Sequence, residues 1–238
     1  VALDVSSFGG DKFGRGFMTG PLAELIGAAV VSRPILGAPL TSRLMRRAPI
    51  TPPGFVREPA RLTESFELSR LARRRGYFDG YWQDERFIAP GSVFADWTRA
   101  FILDQATPQP PAGVVMHYRT YKEENHPVFS QTPVLDYFQR AIGAIEDRIG
   151  PFAEIIVVSD DTDLAAERLA GLGKTLIPSP KQGWADDMAR LMNARALILT
   201  NSSFSWWAGY CGGAEITTYP ERGTLFHYPI PAKRFACL

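Results

Sequence analysis

Asn201, Ser202, Ser203 and Ser205 stand directly after the apolar run Ala196-Leu197-Ile198-Leu199, with Phe204 among them and Trp206-Trp207 behind. A serine-rich turn from a strand into a helix presents backbone N–H groups and hydroxyls at a helix N-terminus. That arrangement receives anions, above all a phosphate or diphosphate. The same residues also read as a serine N-cap followed by two core tryptophans. Arg119, in His117-Tyr118-Arg119, follows a second apolar run and places a permanent cation there. Its planar fork can hold two phosphate oxygens at once; the plain alternative is a surface arginine beside a strand end. His117, taken alone, reads as a satisfied structural histidine rather than a catalyst.

Two carboxylate pairs leave several chemistries open. Ser159-Asp160-Asp161 suits a metal pair, a ribose or base anchor, or the N-cap of the helix that follows. Asp186-Asp187 sits near another helix start and invites the same capping reading. A carboxylate facing a guanine can also accept from its N1–H and its exocyclic amine, so a single Asp can select that base. Tyr81-Trp82-Gln83, followed by Asp84-Glu85-Arg86-Phe87, is an aromatic and polar patch suited to core packing or to stacking on sugar faces.

The elements that must position these residues follow from periodicity. Strands are expected at Gly113–His117, Glu154–Ser159, Lys174–Ile177, Ala196–Thr200 and Glu215–Tyr219. Helices are expected at Val134–Ile149, Asp163–Leu172, Trp184–Met192 and Ser203–Cys211. Strands alternating with helices imply a parallel sheet with right-handed crossovers. In such sheets ligands sit beyond the carboxyl ends of the strands, where Arg119, Asp160, Asp161 and Asn201 to Ser203 all fall. The first half is less regular. Gly9, Gly10, Gly14 and Gly16 precede an expected helix at Gly20–Val31, residues 33–58 read as Pro- and Arg-rich loop, and Pro108, Pro110 and Pro111 mark a linker. The division is therefore 1–110 and 111–238.

Composition narrows the classes. With 45% hydrophobic residues among 238, the chain buries a substantial core and is not disordered. Twenty-six basic against 25 acidic residues provide no field that would draw nucleic acid or an anionic membrane. The local arginine clusters at Arg43, Arg46 and Arg47 and at Arg70, Arg73, Arg74 and Arg75 read as solvated helix faces. Two cysteines, Cys211 and Cys237, form no disulfide framework or zinc pattern, which fits a reducing, cytoplasmic compartment. No transmembrane stretch or signal pattern is present, peripheral membrane association stays open, and the start at Val1 rather than Met suggests missing leading residues.

In order along the chain, Gly80-Tyr81-Trp82-Gln83, His117-Tyr118-Arg119, Ser159-Asp160-Asp161 and Asn201-Ser202-Ser203-Phe204-Ser205-Trp206-Trp207 resemble the motifs of the alpha-1,2-fucosyltransferases. These are inverting, GDP-fucose-dependent glycosyltransferases. The resemblance implies an α/β protein of two Rossmann-like halves (GT-B-like), an acceptor-side N-terminal region, and a C-terminal half that holds GDP-fucose. It implies Arg119 on the diphosphate, His117 and Asp187 at guanine, Ser202 and Ser203 on phosphate oxygens, and Asp160, Asp161, Asn201 and Phe204 around the nucleotide. No metal or other cofactor is implied. The partners are GDP-fucose and a glycan acceptor, with transfer to a hydroxyl, alpha-1,2 to galactose.

The sequence departs from the family's His-x-Arg-Arg-x-Asp pattern at Thr120, in place of the second arginine, and at Lys122, in place of the acidic residue. A lost charge-assisted hydrogen bond is worth roughly 1.5 to 3 kcal/mol, one or two decades in rate. The glycine-rich start is also degenerate, appearing as Gly9-Gly10-Asp11-Lys12-Phe13-Gly14. Glu123 is the leading candidate for a base that deprotonates the acceptor, with Glu124 and Asp11 behind it. The rival readings are an O-fucosyltransferase or another GDP-sugar transferase, and a catalytically weakened nucleotide-sugar or glycan-binding protein. An NAD-dependent oxidoreductase is set aside, since no Gly-x-Gly-x-x-Gly follows a strand.

Overall fold

The computed structural model describes residues 2–4, 29–31, 55–57, 77–79, 85, 93–120, 135–220 and 232–238. The chain forms two compact units, Val1–Tyr81 and Trp82–Leu238. In the first, β1 (Ala2–Asp4) pairs in parallel with β2 (Ala29–Val31), and β3 (Phe55–Arg57) with β4 (Tyr77–Asp79). The end of the expected Gly20–Val31 helix is thus corrected to a strand: Ala-Val-Val carries two β-branched residues, which suit a pleated ladder better than a helix turn. The remainder of that segment, the glycine-rich start, Tyr81 to Gln83 and the loop with Lys122, Glu123 and Glu124 lie outside the described residues.

The second unit runs α1 (Phe94–Gln105), β5 (Ala112–Tyr118), α2 (Leu135–Ile149), β6 (Glu154–Ser159), α3 (Thr162–Leu169, with a short 3-10 turn at Ala170–Leu172), β7 (Thr175–Pro178), α4 (Trp184–Met192), β8 (Ala194–Ile198), α5 (Ser203–Cys211), β9 (Ile216–Tyr219) and β10 (Ala236–Cys237). Its six parallel strands are ordered β10-β9-β8-β5-β6-β7. Counted from β5, this is the strand order of a dinucleotide-binding doubly wound sheet. The α/β class and the parallel sheet expected for the C-terminal half are therefore present. The expected division after residue 110 leaves α1 with the first half, whereas the compact second unit includes it.

Alternation along the strands builds two cores. Val115, Leu197, Leu199 and Val158 belong to the cluster shared with α1, α4 and α5, where Ile102, Met188, Leu191 and Trp206 are buried. Val114, Met116, Tyr118, Ile155, Val157, Ala196 and Ile198 belong to the cluster of α2 and α3, against Phe138, Ile142, Ile145 and Leu169. Successive strand residues point to opposite faces, so a sheet covered on both sides needs apolar side chains at nearly every position. Strand β8 begins two residues earlier than its apolar run suggests, because Arg195 at its exposed start pairs with Glu215 at 2.7 Å and so tolerates the ladder.

Helix α1 has no counterpart in the sequence reading. Trp97 and Phe101, one turn apart, stack at 5.4 Å. Its Arg99 donates through Nη1 to the carbonyls of Met192 (3.3 Å) and Cys211 (3.4 Å), and through Nη2 to Asn193 Oδ1 (3.0 Å). One guanidinium thus serves the C-terminal ends of both α4 and α5, where carbonyls lack helical partners. Asp186, buried, accepts from the backbone N–H of Thr107 at 2.8 Å and holds the proline-rich linker to α4.

Candidate functional site

Strand order in a doubly wound sheet reverses where neighbouring strands send their connections to opposite faces. Here that point lies between β5 and β8, with β6 on the other side of β5. Residues following these three strands must therefore meet at one edge: His117 to Thr120 from β5, Asp160 and Asp161 from β6, and Leu199 to Ser203 from β8.

His117 crosses the switch point. Its Nδ1 lies 3.2 Å from Thr200 Oγ1, and its ring meets Phe204 at 5.7 Å between centroids. The ring is 6% exposed. Burial lowers its pKa from 6.5 to about 4; Asp160 opposes the shift and Arg119 adds to it. The imidazole is therefore neutral near pH 7, a hydrogen-bonding strut rather than a cation, as expected for the residue taken alone. Thr200 escaped the sequence reading although it abuts the serine turn, since its partner is remote in the chain. The Tyr137 hydroxyl of α2 donates to the Leu199 carbonyl at 2.7 Å, and burial raises its pKa. The turn from β8 into α5 is thus held from both faces of the sheet.

Helix α5 starts where the serines place it. Ser202 is the N-cap residue with extended backbone, and its side chain makes no capping bond. The third serine is structural: Ser205, fully buried, donates to the carbonyls of Ser202 (3.2 Å) and Thr200 (3.4 Å). Trp206 belongs to the core, stacked on Tyr210 at 5.0 Å and edge-on to Trp207 at 5.1 Å. The packing reading holds for the tryptophans, Trp206 in the core and Trp207 against it, while Ser202 and Ser203 stand at the helix start. Gly209 lets the helix lie close on the sheet, since a Cβ there would stand 2.8 Å from Leu199 Cδ1 and 3.2 Å from Thr217 Cγ2.

Arg119 is the first residue beyond β5, with its side chain 32% exposed and Nη1 3.2 Å from Asp160 Oδ2. The two neighbouring aspartates part company. Asp161 caps α3, accepting from Leu164 N–H at 3.0 Å. Asp160 accepts from the Thr120 N–H through Oδ1 (2.7 Å) and from the Thr120 hydroxyl through Oδ2 (2.8 Å). Of the alternatives open for this pair, the cap is realised by Asp161, and Asp160 orients the end of β5. Among the described residues no group of three or more His, Cys, Asp or Glu side chains is gathered for a metal ion. Asp187, in the first turn of α4, is half-buried and accepts from the Ser179 hydroxyl at 3.4 Å; burial raises its pKa despite that bond. Ser179, just past β7, is a further residue that sequence reasoning passed over.

Among the described residues, this edge carries the Arg119 guanidinium, the start of α5 and a neutral histidine, groups of the kind that can hold a diphosphate. Residues 130–223 match glycosyl transferase family 11. The family 11 stretch contains Asp160, Asp161, Asp187 and all of Asn201 to Trp207, and begins after His117 and Arg119. It bears out the recognition made on the motifs and supports a glycosyltransferase. No curated protein matches the chain. Among the described residues no helix is long and apolar enough to cross a membrane.

Proposed function

We propose that the chain transfers L-fucose from GDP-fucose to a hydroxyl of a glycan acceptor, alpha-1,2 to galactose, with inversion at the anomeric carbon. The observation that carries this reading is the His117–Thr200 contact across the switch point. It joins the strand end bearing Arg119 to the serine turn inside the family 11 stretch. As the glycosidic bond lengthens, charge builds on the departing diphosphate, and groups aimed at it lower the barrier. Arg119 takes that charge, with Ser202, Ser203 and the backbone N–H groups opening α5; Asn201 and Phe204 flank the nucleotide. Asp187 accepts from the guanine edge, and His117 supports the base as a neutral ring. Asp160 acts indirectly, through Arg119, while Asp161 caps α3. The arginine and the helix N-terminus supply the neutralisation that a metal would otherwise provide. Glu123 is proposed as the base that takes the acceptor proton, in a cytoplasmic setting.

The test is calorimetric titration with GDP and UDP, in chelator, on the native chain and on Arg119→Ala, followed by transfer from GDP-fucose to a galactoside. GDP binding that ignores UDP and weakens by roughly tenfold to a hundredfold in the variant supports the reading. UDP binding as tight as GDP, or binding indifferent to Arg119, refutes it. A second reading, a nucleotide-sugar-binding protein without transfer, is favoured by Thr120 at the family's second arginine, and GDP binding without turnover would select it.

A further inference from the structure

Thr120 occupies the place of the motif's second arginine, yet the structure does not leave it as a gap. It is 3% exposed, and three of its polar groups are engaged. Its N–H and hydroxyl both point to Asp160, one to each carboxylate oxygen. Its carbonyl accepts from Arg168 Nη1 of α3 at 3.1 Å. The carboxylate is therefore held by both of its oxygens, and the oxygen that takes the hydroxyl also faces Arg119 Nη1. A carboxylate left to rotate would pull the guanidinium with it. A carboxylate that receives two further hydrogen bonds has part of its charge satisfied and competes less with an incoming anion.

We infer that Thr120 is a positioning residue: through Asp160 it fixes the Arg119 guanidinium at the carboxyl end of β5 in the orientation that receives the donor's diphosphate. Its contribution is preorganisation, since an arginine already aimed loses less side-chain freedom on binding. This inference rests on the proposed donor reading and goes beyond it in assigning the role of the residue at which the motif departs. Substituting Thr120 by Arg would place a long cation in a buried space that a hydroxyl fills, and would break the clamp.

The experiment titrates GDP and guanosine into the native chain, Thr120→Val and Thr120→Ser. Beside it, the Arg119 Nε–H resonance is followed by 15N NMR and identified by its loss in Arg119→Lys. Thr120→Val keeps the branched shape and removes the hydroxyl. It is expected to weaken GDP by about tenfold, leave guanosine unchanged and shift or broaden the Arg119 signal, and Thr120→Ser should recover most of the affinity. The inference fails if guanosine weakens as much as GDP, which marks a merely structural role. It fails equally if GDP binds Thr120→Val as it binds the native chain, or weakens while the Arg119 signal stays in place. If the native chain binds no GDP, the donor reading falls, and the Arg119 signal alone decides whether Thr120 positions that side chain. Should Thr120→Val not fold, Asp160→Asn is read by the same measurements.

Discussion

The two ends of α5 are finished in opposite ways. At the C-terminal end, Arg99 reaches the Cys211 carbonyl, and Arg234 donates to the carbonyls of Gly209 and Gly212 while lying over Tyr210 at 5.4 Å. The negative end of the helix dipole is thus met by two cations from the protein. At the N-terminal end, Ser202 makes no capping bond, and the nearest elements contribute a neutral histidine and an arginine one strand away. The C-terminal carbonyls are thus met by two arginines, and the N-terminal turn has no side-chain cap. The first N–H groups of a helix have no partner within it and are the groups an anion would take.

The largest effect that sharpens this contrast is acid-dependent. His117 has a folded pKa of about 4 against 6.5 when unfolded. The unfolded chain therefore binds the proton first as pH falls. The stabilisation from keeping His117 neutral is complete above about pH 6.5 and is lost as pH falls toward 4, amounting to about 3 kcal/mol at most. Urea unfolding between pH 7 and 4 should show this slope, and His117→Gln should flatten it. An unchanged slope would mean the ring is not buried neutral across the switch point.

Next in size is the other end of the helix. Arg99→Ala removes three hydrogen bonds to the ends of α4 and α5. It should lower stability by about 1.5–3 kcal/mol, with GDP affinity unchanged in the protein that remains folded. Loss of GDP binding at that point would show that the two ends of α5 are not separable. The smallest effects compare two helix caps. Asp161→Ala should lower stability by about 1 kcal/mol, the ordinary worth of a side-chain cap, and leave nucleotide affinity in place. Ser202→Ala should do the reverse, barely moving the unfolding midpoint and weakening GDP. Equal stability losses in the two variants, measured by thermal unfolding, would break the distinction between a structural cap and a binding one.

Much of this contrast could be read from residue order. The apolar run before Asn201, the serines after it and the carboxyl-end placement of Arg119 and Asp160 follow from period and motif, and the sheet puts them at one edge. Helix α1 was not legible because its inward face carries Arg99 and Thr98 among its apolar residues, which blurs the period. Strand β10 is two residues long and has no period at all. Thr200, Ser179 and the engagement of Thr120 were missed for a different reason. A hydroxyl announces no partner, and theirs lie in other elements of the fold.

The sequence by itself determined that apolar strands alternate with amphipathic helices, that a serine turn opens α5, and that cation and carboxylates follow strand ends. These depend on neighbours in the chain, where backbone geometry and side-chain period act. Only the tertiary structure decided that β5 lies between β6 and β8, that Asp161 caps while its neighbour Asp160 grips Thr120 and Arg119, and that His117 is neutral. Those outcomes depend on which strands pair and on how much water is excluded, and both are set by packing between residues far apart in the chain.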